Sequence, residues 1–182
     1  VYKRQNLGKN LENASREIDY STVFAYKVSD PERYGVVEFN ESGEIISIEE
    51  KPANPKTKYA ITGLYFYDKN APKKCKTLKP SKRGELEITD LNQLYLQEKK
   101  LKVSIIGRGM TWLDTGTFDS LHQAGSYIRL LERRQGLKVG CPEEVAWRNK
   151  WINNNDLIKL AKSMLKSGYG EYLLEIEKDN FN

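Results

Sequence analysis

A repeated switch of hydrophobic period limits what this chain can fold into more than any other feature. Leu7, Leu11, Ala14 and Ile18 recur at helical spacing, and residues 21–29 then read as a strand. Strand-like runs follow at 34–39, 44–50 and 59–68. The last is rich in aromatic and β-branched residues and is expected at the centre of a sheet. Helical spacing returns at 71–78 and 86–99, where Ile88, Leu91, Leu94 and Tyr95 form the expected inner face, and 101–106 alternates once more. Helices interleaved with strands bury themselves against a sheet, so the fold class is α/β.

The connections carry the first chemistry. Asp30-Pro31-Glu32-Arg33 places proline early in a turn, and Asn40-Glu41-Ser42-Gly43 joins two strands as a hairpin. Gly35 and Gly63 interrupt strands, which marks either a bulge or a place where a ligand lies against the backbone. The second hairpin strand alternates Ile46 and Ile48 with polar residues, then ends in Glu49, Glu50 and Lys51 before Pro52. In open α/β sheets ligands collect at the carboxyl ends of strands. Glu50 and Lys51 therefore stand where an acceptor for hydroxyls and a cation for phosphate are useful. The alternative is a solvated strand end.

Residues 117–135 read as the longest helix, with Leu121, Ala124, Ile128 and Leu131 on one face and Gly136 as a stop signal. Beyond Pro142 the segments 142–150, 156–166 and 171–178 are all helical, with Gly168 as a cap. The expected division is 1–136 and a helical tail, 137–182, in which Trp147 and Trp151 are core or interface. Asp114, at a strand-to-helix junction beside Trp112, reads as a helix cap or a cation ligand.

Composition narrows the chemistry. Among 182 residues, 30 Lys and Arg stand against 25 Asp and Glu, a mixed surface that favours phosphate-bearing ligands only slightly. The run Lys73, Lys74, Lys76, Lys79, Lys82 and Arg83 lacks interleaved aromatic residues for stacking bases, so a solvated face is expected and no nucleic-acid partner. Cys75 and Cys141 show no metal or disulfide spacing, which suits a reducing cytoplasm. With His122 as the single histidine, histidine-based nucleophilic catalysis is disfavoured, and no Gly-x-x-x-x-Gly-Lys loop occurs. No run approaches the roughly 20 apolar residues of a membrane helix, and no signal peptide precedes the first periodic segment. Chemistry is left to carboxylates, a lysine and a divalent ion.

Five blocks, taken in order, carry a resemblance. They are Glu32-Arg33-Tyr34-Gly35-Val36-Val37-Glu38-Phe39, Glu49-Glu50-Lys51-Pro52, Thr62-Gly63-Leu64-Tyr65-Phe66-Tyr67-Asp68, Arg83-Gly84-Glu85-Leu86-Glu87-Ile88-Thr89-Asp90 and Trp112-Leu113-Asp114-Thr115-Gly116. Together they closely resemble the glucose-1-phosphate thymidylyltransferases, from about Leu7 to the C-terminus. Arg133-Arg134-Gln135-Gly136 and Cys141-Pro142-Glu143-Glu144 resemble the short bacterial dTDP-glucose-forming members in particular.

The resemblance implies a partial Rossmann-like mixed sheet of the nucleotidyltransferase fold with a helical C-terminal tail. It implies Mg²⁺-dependent transfer of a thymidylyl group from dTTP to glucose 1-phosphate, giving dTDP-glucose and pyrophosphate for dTDP-rhamnose synthesis in the cytoplasm. At matching positions, Lys51 binds the sugar phosphate and Glu50 accepts hydrogen bonds from sugar hydroxyls. The backbones of Gly35 and Ile61 approach the sugar, Tyr65 hydrogen-bonds near the phosphate, and Trp112 lines the pocket. Asp114 is one of two aspartates that hold Mg²⁺. Family members are commonly tetramers with a second, regulatory nucleotide site between subunits. Glu144, Val145 and Arg148 match its tail positions, while Gly140 stands where serine is frequent.

The departures shape the remaining expectations. The family's opening strand, its glycine-rich loop with Arg and Lys, and its Gly-Asp-Asn segment have no counterpart here, and residues 1–5 depart from the family. The chain also opens on Val1 without an initiator methionine. The expectation is a fragment, inactive alone and inclined to associate through an uncovered sheet edge. The alternatives are a non-catalytic regulatory or assembly subunit that kept the sugar pocket, and, more remotely, a basic nucleic-acid-binding module.

Overall fold

The computed structural model describes residues 7–178, so the departure at residues 1–5 lies outside the described residues. The chain divides into two compact units, Val1–Trp112 and Leu113–Asn182.

The first unit begins with helix α1 (Leu7–Arg16), which buries Ala14, while Ile18 lies past its end and is exposed. A five-stranded sheet follows, built from β1 (Ser21–Lys27), β2 (Gly35–Phe39), β3 (Ile45–Glu50), β4 (Tyr59–Phe66) and β5 (Leu101–Ile106) in the order β3-β2-β4-β1-β5. The aromatic strand β4 occupies the middle, as its composition predicts. β1 and β5 are parallel and the other pairs antiparallel. Parallel pairing needs a crossover, and the chain between β4 and β5 supplies helices α2 (Ala71–Cys75) and α3 (Ile88–Gln97). Leu91 and Tyr95 of α3 share a core with Val23, Ala25, Val37, Ile48, Ile61 and Leu101 of the sheet.

Two expectations change in detail. Ile88, read as part of α3's inner face, is exposed, while Thr89 and Asn92 are buried. Each of these inward polar side chains has one partner: Thr89 donates to Glu50, and the Tyr67 hydroxyl donates to Asn92 Oδ1 at 2.6 Å, while Asn92 Nδ2 is buried with no hydrogen-bond partner among the described residues. Gly63 marks a bulge. Between Val23 and Ala25 the β4 partner jumps from Tyr65 to Ile61, and the Thr62 hydroxyl donates to the Phe24 carbonyl across the irregularity at 3.1 Å.

In the second unit, helix α4 (Phe118–Gln135) is opened by a capping box in which Thr117 and Ser120 exchange side-chain-to-backbone hydrogen bonds. Thr117, not Asp114, is therefore the cap. The helix ends at Gly136, whose φ of 71° is the left-handed conformation a helix stop requires. Ala124 is buried as expected, but Leu121 is exposed. Helices α5 (Pro142–Arg148), α6 (Asn154–Ser163) and α7 (Tyr169–Lys178) enclose Cys141, Leu157, Ala161, Tyr172, Leu173 and Ile176. Trp147 packs on this core, whereas Trp151 is 73% exposed, so the two tryptophans part company. Both cysteines are free thiols. Among the described residues no helix is long and apolar enough to cross a membrane.

Candidate functional site

The hairpin of β2 and β3 sets Gly35 directly opposite Glu50. The Thr89 hydroxyl, near the start of α3, donates to Glu50 Oε2 at 2.5 Å. A Cβ on Gly35 would lie 3.0 Å from Thr89 Oγ1 and 3.2 Å from Glu50 Oε2. The β2–β3 register shifts only between Glu38 and Phe39, so a bulge does not explain this glycine, and what approaches it is this hydrogen-bonded pair of side chains.

Lys51 leaves the strand with φ at 43°, and its amide donates to the Tyr34 carbonyl at 3.0 Å. Lysine has no steric preference for that left-handed region, and such residues persist where the surrounding structure holds them. The strand is thereby ended, and the Lys51 side chain is exposed beside an anchored carboxylate.

Arg83 brings positive charge to the same place. Its guanidinium lies 3.9 Å from Glu50 Oε1, 3.5 Å from Glu87 Oε1 and 2.9 Å from Glu85 Oε2. Ser81 also donates to Glu87 Oε1 at 2.8 Å, which places the acidic side chains around one shared cation. Burial, and then the negative charge of Glu50, push the Tyr65 phenol above its ordinary value of 10.0. Tyr65 is therefore neutral at physiological pH and able to donate a hydrogen bond.

The Ile61 side chain is buried in the core. Trp112 packs edge-on against Tyr34, with ring centres 5.2 Å apart, and against Tyr26 at 6.2 Å. Tyr26 in turn donates to the Met110 carbonyl at 3.1 Å. The structure thus brings Gly35, Glu50 and Lys51 together at one strand end, with Tyr65 within reach of the Glu50 charge. Thr89 and Arg83 join them. Both lie in a block recognised by resemblance, but neither received a role. The sequence offers no signal for either beyond a polar side chain at or just before the start of a helical segment.

Asp114 belongs to the second unit and is half-buried. A Cβ on Gly116 would come within 3.1 Å of Asp114 Oδ2, so glycine leaves the flank of that carboxylate open. Among the described residues no group of three or more His, Cys, Asp and Glu side chains gathers as a metal cage. Mg²⁺ is commonly held by one or two carboxylates plus substrate phosphate oxygens. The donor chemistry of Asp114 fits that sparse mode.

On α5, Glu144 accepts a hydrogen bond from Tyr172 and pairs with Arg148 Nε at 2.8 Å. The Arg148 guanidinium lies over Trp147, 5.6 Å from the ring centre, and Val145 is exposed. Burial, and then the bond to Glu144, push the Tyr172 phenol up to about 12. These three residues share one short helix, with the carboxylate already paired.

The profile of the nucleotidyl transferase family matches residues 1–129. The chain is 51% identical over 178 residues to the glucose-1-phosphate thymidylyltransferase of Neisseria meningitidis, covering 98% of this chain and 62% of that protein. It is 50% identical over 180 residues to the Mycobacterium tuberculosis enzyme of the same name, covering 99% and 62% respectively. The chain spans about 62% of the length of these curated relatives.

Among solved structures, a Bacillus anthracis protein assigned as a glucose-1-phosphate thymidylyltransferase and crystallised with sucrose superposes with a TM-score of 0.60 at 40% identity, over 69% of this chain and 50% of that one. A UDP-glucose pyrophosphorylase bound to UDP-glucose shares the fold at a TM-score of 0.53 and 22% identity, over 66% and 48%. By sequence and by fold, the chain belongs to the nucleotidyl transferase family and is a homologue of the glucose-1-phosphate thymidylyltransferases.

Proposed function

We propose that this chain is the sugar-phosphate-binding part of an enzyme that transfers a thymidylyl group from dTTP to glucose 1-phosphate, forming dTDP-glucose and releasing pyrophosphate. The observation that carries the reading is the Glu50–Lys51 junction: an anchored carboxylate followed at once by an exposed ammonium on a left-handed backbone. The carboxylate accepts sugar hydroxyls, and the ammonium offsets the phosphate charge. In the reaction a phosphate oxygen of the sugar attacks the α-phosphorus in line as pyrophosphate leaves.

The work of the protein is positioning and charge neutralisation. Lys51 holds the attacking phosphate, neutral Tyr65 donates to it, and Trp112 with the backbones at Gly35 and Ile61 shapes the sugar pocket. Mg²⁺, when bound, offsets charge on the phosphate oxygens, with Asp114 as one carboxylate donor.

On this reading the nucleotide is held by sequence equivalent to the part of the relatives that this chain does not span. The 182 residues alone then release no pyrophosphate. Residues 1–136 act as the sugar-binding part and 137–182 as the packing and oligomerisation tail. Glu144, Val145 and Arg148 contribute to a regulatory nucleotide site between subunits of a cytoplasmic homotetramer.

The test is pyrophosphate release from dTTP and glucose 1-phosphate with Mg²⁺, comparing this chain with the same chain joined to the remaining portion of a relative. Activity in the joined protein alone, reduced by Asp114→Asn together with its response to Mg²⁺, is the expected result. Silence from both folded samples would overturn catalysis and favour a non-catalytic subunit that retains the pocket.

A further inference from the structure

We infer that Thr89 is a positioning residue for Glu50 and that Gly35 is the spacer that lets it act; the inference rests on the reading of Glu50 as a sugar-hydroxyl acceptor. Glu50 is the last residue of β3, so its side chain is not held by the sheet beyond it. Arg83 lies 3.9 Å from Oε1 and already pairs with Glu85 and Glu87. A glutamate free to turn at this point would close on that guanidinium and give both oxygens to it.

Thr89 opposes this turn. Thr89 is 2% exposed, and its hydroxyl donates its single proton to Oε2. The hydroxyl is itself fixed, because α3 is locked into the core through Leu91 and Tyr95. With Oε2 engaged, Oε1 remains as the acceptor for a ligand hydroxyl, in an orientation set before the ligand arrives.

Gly35 supplies the room. It is the register partner of Glu50, and a Cβ there would press on both members of the pair, at 3.0 and 3.2 Å. Gly63, the other strand glycine, has nothing within 4 Å of the same construction. Of the two strand glycines only Gly35 is closely approached, and the cleared space holds the Thr89–Glu50 bond.

The test combines crystal structures of the chain and of Thr89→Val and Thr89→Ser with calorimetric titration of glucose 1-phosphate. In Thr89→Val, a near-isosteric change, the Glu50 carboxylate is expected to leave its position beside Gly35 and affinity to fall about tenfold. Thr89→Ser restores both the position and the affinity, a rescue that lost packing alone would not show. Gly35→Ala keeps the hydroxyl, displaces the pair and gives the same loss, which covers the case of a Thr89→Val chain that does not fold. An unmoved Glu50 in Thr89→Val, or a Thr89→Ser chain as weak as Thr89→Val, overturns the inference. If the unaltered chain takes up no glucose 1-phosphate, the proposed function fails, and the Glu50 position in the variant crystals still decides this inference.

Discussion

Gly170→Ala should damage the second unit more than its chemistry suggests. A Cβ on Gly170, in the first turn of α7, would lie 2.2 Å from the Ala161 carbonyl oxygen, 2.7 Å from Leu165 N and 2.8 Å from the Met164 carbonyl carbon. Ordinary van der Waals contact begins at 3.4 Å, so the first of these falls short by more than 1 Å. All three atoms are backbone and have no rotamer to escape into. The added methyl must lift α7 from α6, loosening Tyr172, Leu173 and Ile176 from Leu157 and Ala161. Overpacking costs about 1–3 kcal/mol, and partial loss of that core takes the expected total to about 3 kcal/mol. For a unit of this size each kcal/mol moves the melting midpoint by about 4–8 °C, so a fall of roughly 12–24 °C follows. Gly125→Ala, on the exposed face of α4 with nothing within 4 Å, is the control. It should stabilise by roughly 0.5–1 kcal/mol through helix propensity alone. Urea unfolding followed by helical circular dichroism and by tryptophan fluorescence measures both variants. A Gly170→Ala chain within about 1 kcal/mol of the unaltered protein would refute the packing argument.

Two further predictions concern charge. Glu38 accepts hydrogen bonds from Ser47 and Lys56, and these hold its carboxyl below the usual 4.5. Its folded value is depressed, so the stability it contributes is present above the unfolded value and lost as pH falls through the folded one. Ser47→Ala should raise the Glu38 value in a carboxyl NMR titration, and an unmoved titration would remove Ser47 from the account. Glu50→Gln should lower the Tyr65 phenol value by removing the neighbouring negative charge, while burial still keeps it above 10.0. Ultraviolet difference titration at alkaline pH reads this directly, and an unchanged Tyr65 transition would show that the two groups do not interact.

The sheet was legible because each strand announces itself by period and composition. The aromatic run of β4 went to the centre, and the hairpin turn at Asn40 and Gly43 fixed which strands pair. The inner face of α3 was half legible. Apolar spacing finds Leu91 and Tyr95, but it has no means of finding the buried Thr89 and Asn92, whose hydroxyl and amide oxygen are engaged by Glu50 and Tyr67. The same limit explains the site. Glu50 and Lys51 show as charges at a strand end, yet the bond that anchors Glu50 joins residues 39 positions apart. The left-handed turn at Lys51 has no glycine to mark it. In α4, periodicity placed Leu121 inward, and the structure leaves it exposed, since an apolar stripe states what wants burial and not what is there to cover it.

The most direct test of the central claim is a calorimetric titration of glucose 1-phosphate into this chain, set beside the same titration of Lys51→Ala. The account predicts saturable binding to the unaltered chain. It also predicts a loss of about 2 kcal/mol on removing the charge-assisted contact, with the melting midpoint unchanged. No binding by the folded, unaltered chain, or equal affinity with and without the Lys51 ammonium, would contradict it.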